Sequence, residues 1–138
     1  MASEKVIAAL NRARKRELGV VLQYMRQHYM AQGIESPQVA DILKSVAKTE
    51  MKHAEALAER VAYLGGEPTT DRDPAKLSDN LTQMLKDDLA VENEAVKMYK
   101  EIIEICKRAD DITSRTMMEK ILADEEGHVD TFTRLLAK

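Results

Sequence analysis

The sequence predicts an all-α protein: four long helices forming a bundle of two antiparallel hairpins joined by a long crossover. Three observations carry this. The 138 residues include only 5 Gly, 3 Pro, one Phe and no Trp, so helix breakers and strand-favouring aromatics are both scarce. Cap signals divide the chain into four apolar-periodic segments. Two of the three junctions are short, while the middle one carries Pro68 and Pro74 among Thr and Asp.

The first helix is expected from about Ser3, a candidate N-cap, to Gly33, a C-terminal stop. The second opens with Ser36 as N-cap and Pro37 at the first helical position, and closes at Gly65-Gly66. Glu67 to Lys76 reads as loop. The third helix begins near Ser78 and runs to about Arg108. Asp110 or Asp111 caps the fourth, which continues nearly to Lys138. Each helix of about 25 to 30 residues would span roughly 40 Å. Short links join antiparallel neighbours. The middle link, about a dozen residues, can carry the chain back along the bundle, so a simple up-down-up-down order is not expected.

Length and composition bound the rest. One domain spanning 1–138 is expected, with a real core. With 44% hydrophobic and 33% charged residues the chain is globular, not disordered. A formal net charge of -3 leaves no basic footprint for nucleic acid. The lone Cys106 excludes an internal disulfide and a thiolate metal knuckle, and fits a reducing compartment. The opening MASEKVIAALNRARKREL has charges at every turn, so it is no signal peptide, and no stretch reaches membrane-spanning length. The simplest address is the cytoplasm.

Chemistry enters through a repeat. Glu17 is followed 33 residues later by Glu50 and then His53; Glu92 is followed 33 residues later by Glu125 and then His128. The halves are offset by 75, which also pairs Leu10 with Leu85, Val21 with Val96 and Tyr24 with Tyr99. Each unit offers one Glu on a first helix and a Glu-x-x-His on a second. Together they supply four carboxylates and two imidazoles, the ligand set of a carboxylate-bridged di-metal site in a four-helix bundle.

The positions matter as much as the types. Glu17 lies on a stripe with Leu10, Ala13, Val20, Val21 and Tyr24; Glu50 and His53 lie among Leu43, Val46, Ala47, Ala54 and Leu57. Glu92 falls among Leu85, Leu89, Ala95, Val96 and Tyr99, and Glu125 and His128 among Met118, Ile121, Leu122, Val129 and Phe132. Glu94 reads as solvated, and Glu126 shares a face with Glu119 and Asp130, bordered also by Leu122 and Val129. Four buried acids facing one core repel, and most would protonate. Two divalent cations remove that cost, and oxygen plus imidazole donors suit iron or manganese better than a closed thiolate zinc site. The alternative is a set of solvated or salt-bridged surface pairs. A single Glu-x-x-His would favour it, but two copies at one constant distance on apolar faces favour the metal.

These residues carry a resemblance. Glu50-Met51-Lys52-His53-Ala54, the Leu64-Gly65-Gly66 helix end, Asp88-Leu89-Ala90-Val91-Glu92 and Ile121 to His128 (ILADEEGH) are similar to bacterioferritin, of the ferritin-like superfamily, over about Val6 to Leu135. The resemblance implies a ferroxidase centre of Glu17, Glu50, His53, Glu92, Glu125 and His128, with Glu50 and Glu125 bridging two iron ions. Tyr24 matches a tyrosine close to that centre. Asp88 and Asp124 match acids that support ligand histidines. Met51 matches the axial ligand of a haem b, or a related iron porphyrin, shared between two subunits. A second apolar stripe on the first helix, Leu18, Leu22, Met25 and Tyr29, is rotated about 110° from the Glu17 face and would suit a dimer interface around that haem. A packing methionine is the alternative for Met51.

The sequence also departs from the family. The chain ends about where the fourth helix ends, so the family's fifth helix is missing and a 12-mer is at least as expected as a 24-mer. The family's inner-surface iron-binding His and Asp fall on Ser45 and Thr49, and the absence of Trp removes any tryptophan radical. Several residues are given plain roles: His28 a satisfied core or interface histidine, Cys106 a buried or half-buried thiol, and the run Arg12, Arg14, Lys15 and Arg16 a solvated helix face.

The function the resemblance implies is iron storage and detoxification. Fe²⁺ would be oxidised by oxygen or hydrogen peroxide, and ferric mineral held in a homo-oligomeric cage built from dimers. A ferredoxin-type reductant would serve iron release. The rival is a rubrerythrin-like di-iron peroxidase without a mineral cage. That family usually adds a Cys-x-x-Cys iron domain, for which this chain has no room.

Overall fold

In a computed structural model describing residues 2–137, four helices account for most of the chain: α1 (Ala2–Met30), α2 (Ser36–Tyr63), α3 (Leu81–Arg108) and α4 (Ile112–Leu136). No strand occurs among the described residues. Met1 and Lys138, the ends of the expected domain and of the expected fourth helix, lie outside them.

The helix ends show which local signals decide. α1 stops at Met30, three residues before the expected stop; Gly33 instead forms the turn, at φ 118. Ser36 is not the cap of α2. Its N–H already bonds Gly33 O at 3.1 Å, so Ser36 is the first helical residue and Glu35 takes the cap position without a side-chain bond. The other end of α2 follows the glycine rule. Gly66 N–H bonds Val61 O, Gly65 N–H bonds Ala62 O, and Gly65 sits at φ 89. The third helix begins later than expected. Asn80 Oδ1 accepts from Gln83 N–H at 2.9 Å and caps it, whereas Ser78 hydrogen-bonds Asp87. The two aspartates at the last turn divide the work. Asp110, at φ 56, closes α3, and Asp111 Oδ1 accepts from Ser114 N–H to open α4.

α1 pairs chiefly with α2, and α3 with α4; α1 also packs along α3, and α2 touches α4. The two hairpins are joined by residues 64–80, a longer link than the sequence suggested. That link runs in the same direction as α1 and is tied to it along its length. Asn11 Nδ2 donates to Glu67 O and Arg14 Nε to Thr69 O; Asp73 N–H donates to Lys15 O, Lys76 N–H to Gln23 Oε1, and Arg26 Nη1 to Ser78 O. The result is one bundle with a long crossover, as expected.

The core is divided in two. One apolar cluster gathers around Leu10, Leu57, Tyr99, Ile102 and Met118. The other gathers around Tyr24, Leu43, Leu85 and Phe132. Between them lie the middles of all four helices, and there the buried residues are acidic: Glu17, Glu50, Glu92 and Glu125 are each 0% exposed.

Candidate metal centre

One residue per first helix and two per second helix converge on that middle layer. Each Glu-x-x-His spans nearly one helical turn, so both side chains leave from the same face. Two overlapping groups result. Glu17, Glu50, His53 and Glu125 form one; Glu50, Glu92, Glu125 and His128 form the other, and within each group the ligand atoms lie within 4.8 Å of one another. Glu50 and Glu125 belong to both.

Both imidazoles turn Nδ1 inward. His53 Nδ1 lies 3.0 Å from Glu17 Oε1 and 3.1 Å from Glu50 Oε1; His128 Nδ1 lies 2.8 Å from Glu125 Oε1 and 3.4 Å from Glu92 Oε1. On the far side of its ring, His53 Nε2 lies 2.7 Å from Asp124 Oδ2. A proton held on Nε2 by Asp124 leaves the Nδ1 lone pair for a metal. Tyr24 Oη donates to Glu92 Oε1 at 2.6 Å.

Asp88 departs from its expected role. Its Oδ1 accepts from Gln23 Nε2 and Gln27 Nε2, and no histidine bonds it among the described residues. Burial pushes its carboxyl up to about 7 despite those two donors.

Arg16 overturns another expectation. It is 5% exposed, not solvated, and it reaches all four acids. Its Nη1 lies 2.6 Å from Glu125 Oε2, 2.7 Å from Glu50 Oε2 and 3.1 Å from Glu17 Oε2, and its Nη2 lies 3.2 Å from Glu92 Oε1. The rest of the basic run divides. Arg12 and Lys15 are exposed; Arg14 is half-buried and donates to Thr69 O and Ala54 O. Sequence offered one clue to Arg16. It stands three residues after Ala13 and four before Val20, on a buried stripe whose small residues leave room for a long side chain.

The charges are arranged accordingly. Burial, then the Glu50 charge, pushes the Glu17 carboxyl well above the usual range; burial, then Glu17 and Glu50, does the same to Glu125. Burial would raise Glu50 too, but the His53 hydrogen bond and the Arg16 charge hold it down to about 2. Burial would lower both histidines. The Glu50 contact outweighs it and raises His53 to about 9, and Glu125 and Glu92 raise His128 to about 10. Glu92 Oε2 is buried and accepts no hydrogen bond among the described residues, and Glu50 Oε1 faces the His53 and His128 ring nitrogens at 3.1 and 3.6 Å. A buried donor set of carboxylates and imidazoles without thiolate, with Glu92 Oε2 left without a partner among the described residues, fits hard or borderline divalent cations such as Fe²⁺ or Mn²⁺.

Away from the acid layer, the residues of the second apolar stripe only partly come together. Leu18, Val21, Leu22 and Met51 line a hollow of about 190 Å³, completed by Thr70 and Arg72 of the crossover. Leu22 and Met51 are 47% and 43% exposed. Val21 thus faces this hollow and not the metal layer. Met25, expected with Leu18 and Leu22, packs against the second core cluster instead. His28 Nδ1 lies 2.6 Å from Ala40 O, and Cys106 is fully buried. Ser45 is exposed, and Thr49 is half-buried with its hydroxyl bonded to Ser45 O.

Comparison with known proteins agrees with this architecture. The family model described as a ferritin-like domain matches residues 7–138. The bacterioferritin of Brucella melitensis is 36% identical over 138 residues, covering 97% of this chain and 86% of that protein. The crystal structure of Desulfovibrio desulfuricans bacterioferritin, whose di-iron site is described in different catalytic states, superposes with a TM-score of 0.93 at 32% identity, over 98% of this chain and 80% of that one. Rhodobacter capsulatus bacterioferritin, described with a metal-free dinuclear site and a haem iron, gives 0.89 at 30% identity, over 96% and 84%.

Proposed function

The chain belongs to the bacterioferritins, within the ferritin-like proteins, and from that premise we propose that it oxidises Fe²⁺ and stores the product. The substrate ions are held by Glu17, Glu50, His53, Glu92, Glu125 and His128. One observation carries this reading: two ligand groups overlap in Glu50 and Glu125, so two cations can be held side by side with two acids in common.

The reaction needs that adjacency. Two Fe²⁺ give up one electron each, and a dioxygen that takes both, with two protons, leaves as hydrogen peroxide. A peroxide that takes both, with two more protons, leaves as water. Paired donors avoid one-electron oxygen radicals. The chain's own residues supply the rest. The acids match four negative charges to two dications, Asp124 keeps the His53 ring oriented, and Tyr24 fixes Glu92 by a hydrogen bond. The apolar clusters above and below exclude bulk water and hold the ligand helices in register.

The rest of the reading extends from the family. Met51 of two copies would hold a haem b, or a related iron porphyrin, between them, and that group would supply electron-transfer chemistry for iron release; a ferredoxin-type protein is the proposed reductant. Dimers would build a homo-oligomeric cage around the mineral. The cytoplasm is the proposed site of action; no described helix is long and apolar enough to cross a membrane.

Glu50→Ala tests the centre. It removes a ligand shared by both groups, so the initial rate of Fe²⁺ oxidation should fall by at least about a hundredfold, beyond the usual cost of losing a supporting partner. Stopped-flow absorbance reads the rate, and circular dichroism checks that the helices persist. A wild-type rate in the folded variant refutes the assignment.

A further inference from the structure

Arg16 sits where the cations of the proposed reaction would have to sit. One guanidinium contacts Glu17, Glu50, Glu92 and Glu125 at 2.6 to 3.2 Å. A metal bound to those same oxygens would face a fixed positive charge within a few ångströms, and at an effective dielectric of about 20 such a repulsion is worth several-fold to many-fold in affinity. A histidine can escape that conflict by losing its proton. An arginine cannot, because it stays charged at any accessible pH. It can only move.

The structure offers it somewhere to go. Arg16 forms the wall between the acid layer and a cavity of about 210 Å³ bounded by α1, α3 and the crossover. Asp73 and Glu94 line that cavity, with Lys76 beside them. Glu94 is exposed, so its carboxylate is free to receive a guanidinium without a burial cost. Arg16 Nε, meanwhile, is buried and makes no hydrogen bond among the described residues.

We propose that Arg16 competes with divalent cations for the four-carboxylate cluster, holding the acids while cation is scarce and swinging into the adjoining cavity towards Glu94 and Asp73 as cation enters. The proposal rests on the iron-binding reading above. It makes Arg16 the residue that sets how tightly the centre takes up metal, and it assigns the cavity between α1, α3 and the crossover as the place the side chain vacates to.

The test is an anaerobic Co²⁺ titration of chelator-treated protein, read by calorimetry and visible absorption at about 0.15 M salt, where distant surface charges are screened. Arg16→Gln should bind Co²⁺ at least about tenfold more tightly than wild type. Its unfolding midpoint without metal should fall by about 5 °C or more, because four acids lose their shared cation. A purely structural arginine would give the fall without the gain in affinity, and that result overturns the proposal. Should Arg16→Gln not fold, Glu94→Gln decides. It leaves the cluster intact and should weaken Co²⁺ binding about threefold or more by removing the receiving acid; an unchanged affinity overturns the proposal. If neither wild type nor a folded Arg16→Gln binds Co²⁺, the iron reading and this inference fall together. Tight wild-type binding with an unimproved Arg16→Gln sinks only the inference.

Discussion

Asp88 is fully buried, and the hydrogen bonds it accepts come from two neutral amides, Gln23 and Gln27. Burial raises its carboxyl to about 7; the amides pull down, and the charges of Asp87 and Glu92 push up. The sign follows directly. Between the ordinary carboxylate range and about pH 7 the folded protein binds a proton the unfolded chain has lost, so stability falls as pH rises through that window and is level above it. The effect at neutral pH is on the order of a few kcal/mol. Asp88→Asn keeps a polar group for both glutamines and removes the titration. Thermal unfolding midpoints measured from pH 4 to 8 should therefore fall less steeply in the variant than in wild type, and parallel curves would show that Asp88 does not titrate in this range. The contrast with the metal layer is one of legibility. Glu17, Glu50, His53, Glu92, Glu125 and His128 stood out because a constant offset repeats them on apolar faces, a signal independent of any one residue. Arg16 lay on a buried stripe too, but its chemical type and its basic neighbours pointed to solvent. Only the converging acids explain why a charge is buried there, and three of the four come from other helices.

At the scale of elements, the crossover decides how α1 is used. The prolines marked residues 67–76 as non-helical, and the cap at Asn80 shows why α3 starts later than Ser78: an asparagine whose side chain meets Gln83 N–H outcompetes a serine engaged with Asp87. The course of the crossover along α1 could not be read in advance. It is held mostly by bonds between side chains and backbone groups, and such contacts leave no periodic pattern. One residue does record it. Gly19 lies in the middle of α1, where glycine costs roughly 1 kcal/mol relative to alanine. A Cβ there would stand 2.5 Å from Asp73 O, and a backbone carbonyl cannot yield as a flexible side chain would. Gly19→Ala should thus destabilise by about 1–3 kcal/mol despite the better helix propensity. A lower thermal midpoint and faster hydrogen exchange over residues 67–78 are the expected outcome; a raised midpoint would mean that the crossover does not press on α1.

For the whole molecule the open question is what covers the outer face of the first hairpin. Leu22 and Met51 are nearly half exposed, and with Leu18 and Val21 they make a shallow apolar hollow flanked by Thr70 and Arg72. The second stripe on α1 was visible in the sequence, yet its membership was not, because a helix surface curves continuously and neighbouring residues can turn to either side. Met25 went to the core and Val21 came to the surface. A two-fold axis through this hollow would cover the apolar side chains with their own copies and bring two Met51 thioethers together, where they would hold the proposed porphyrin. The proposed interface and the proposed haem site can be separated by two substitutions. Leu22→Glu puts a charge into the apolar contact and should cost both the dimer and the Soret band. Met51→Leu keeps the shape and apolar character of the contact, so light scattering should find assembly unchanged, while absorption near the Soret maximum disappears for want of a sulfur ligand. A Soret band that survives Met51→Leu unshifted would show that some other group holds the porphyrin, and an unaltered assembly in Leu22→Glu would move the interface elsewhere on the bundle.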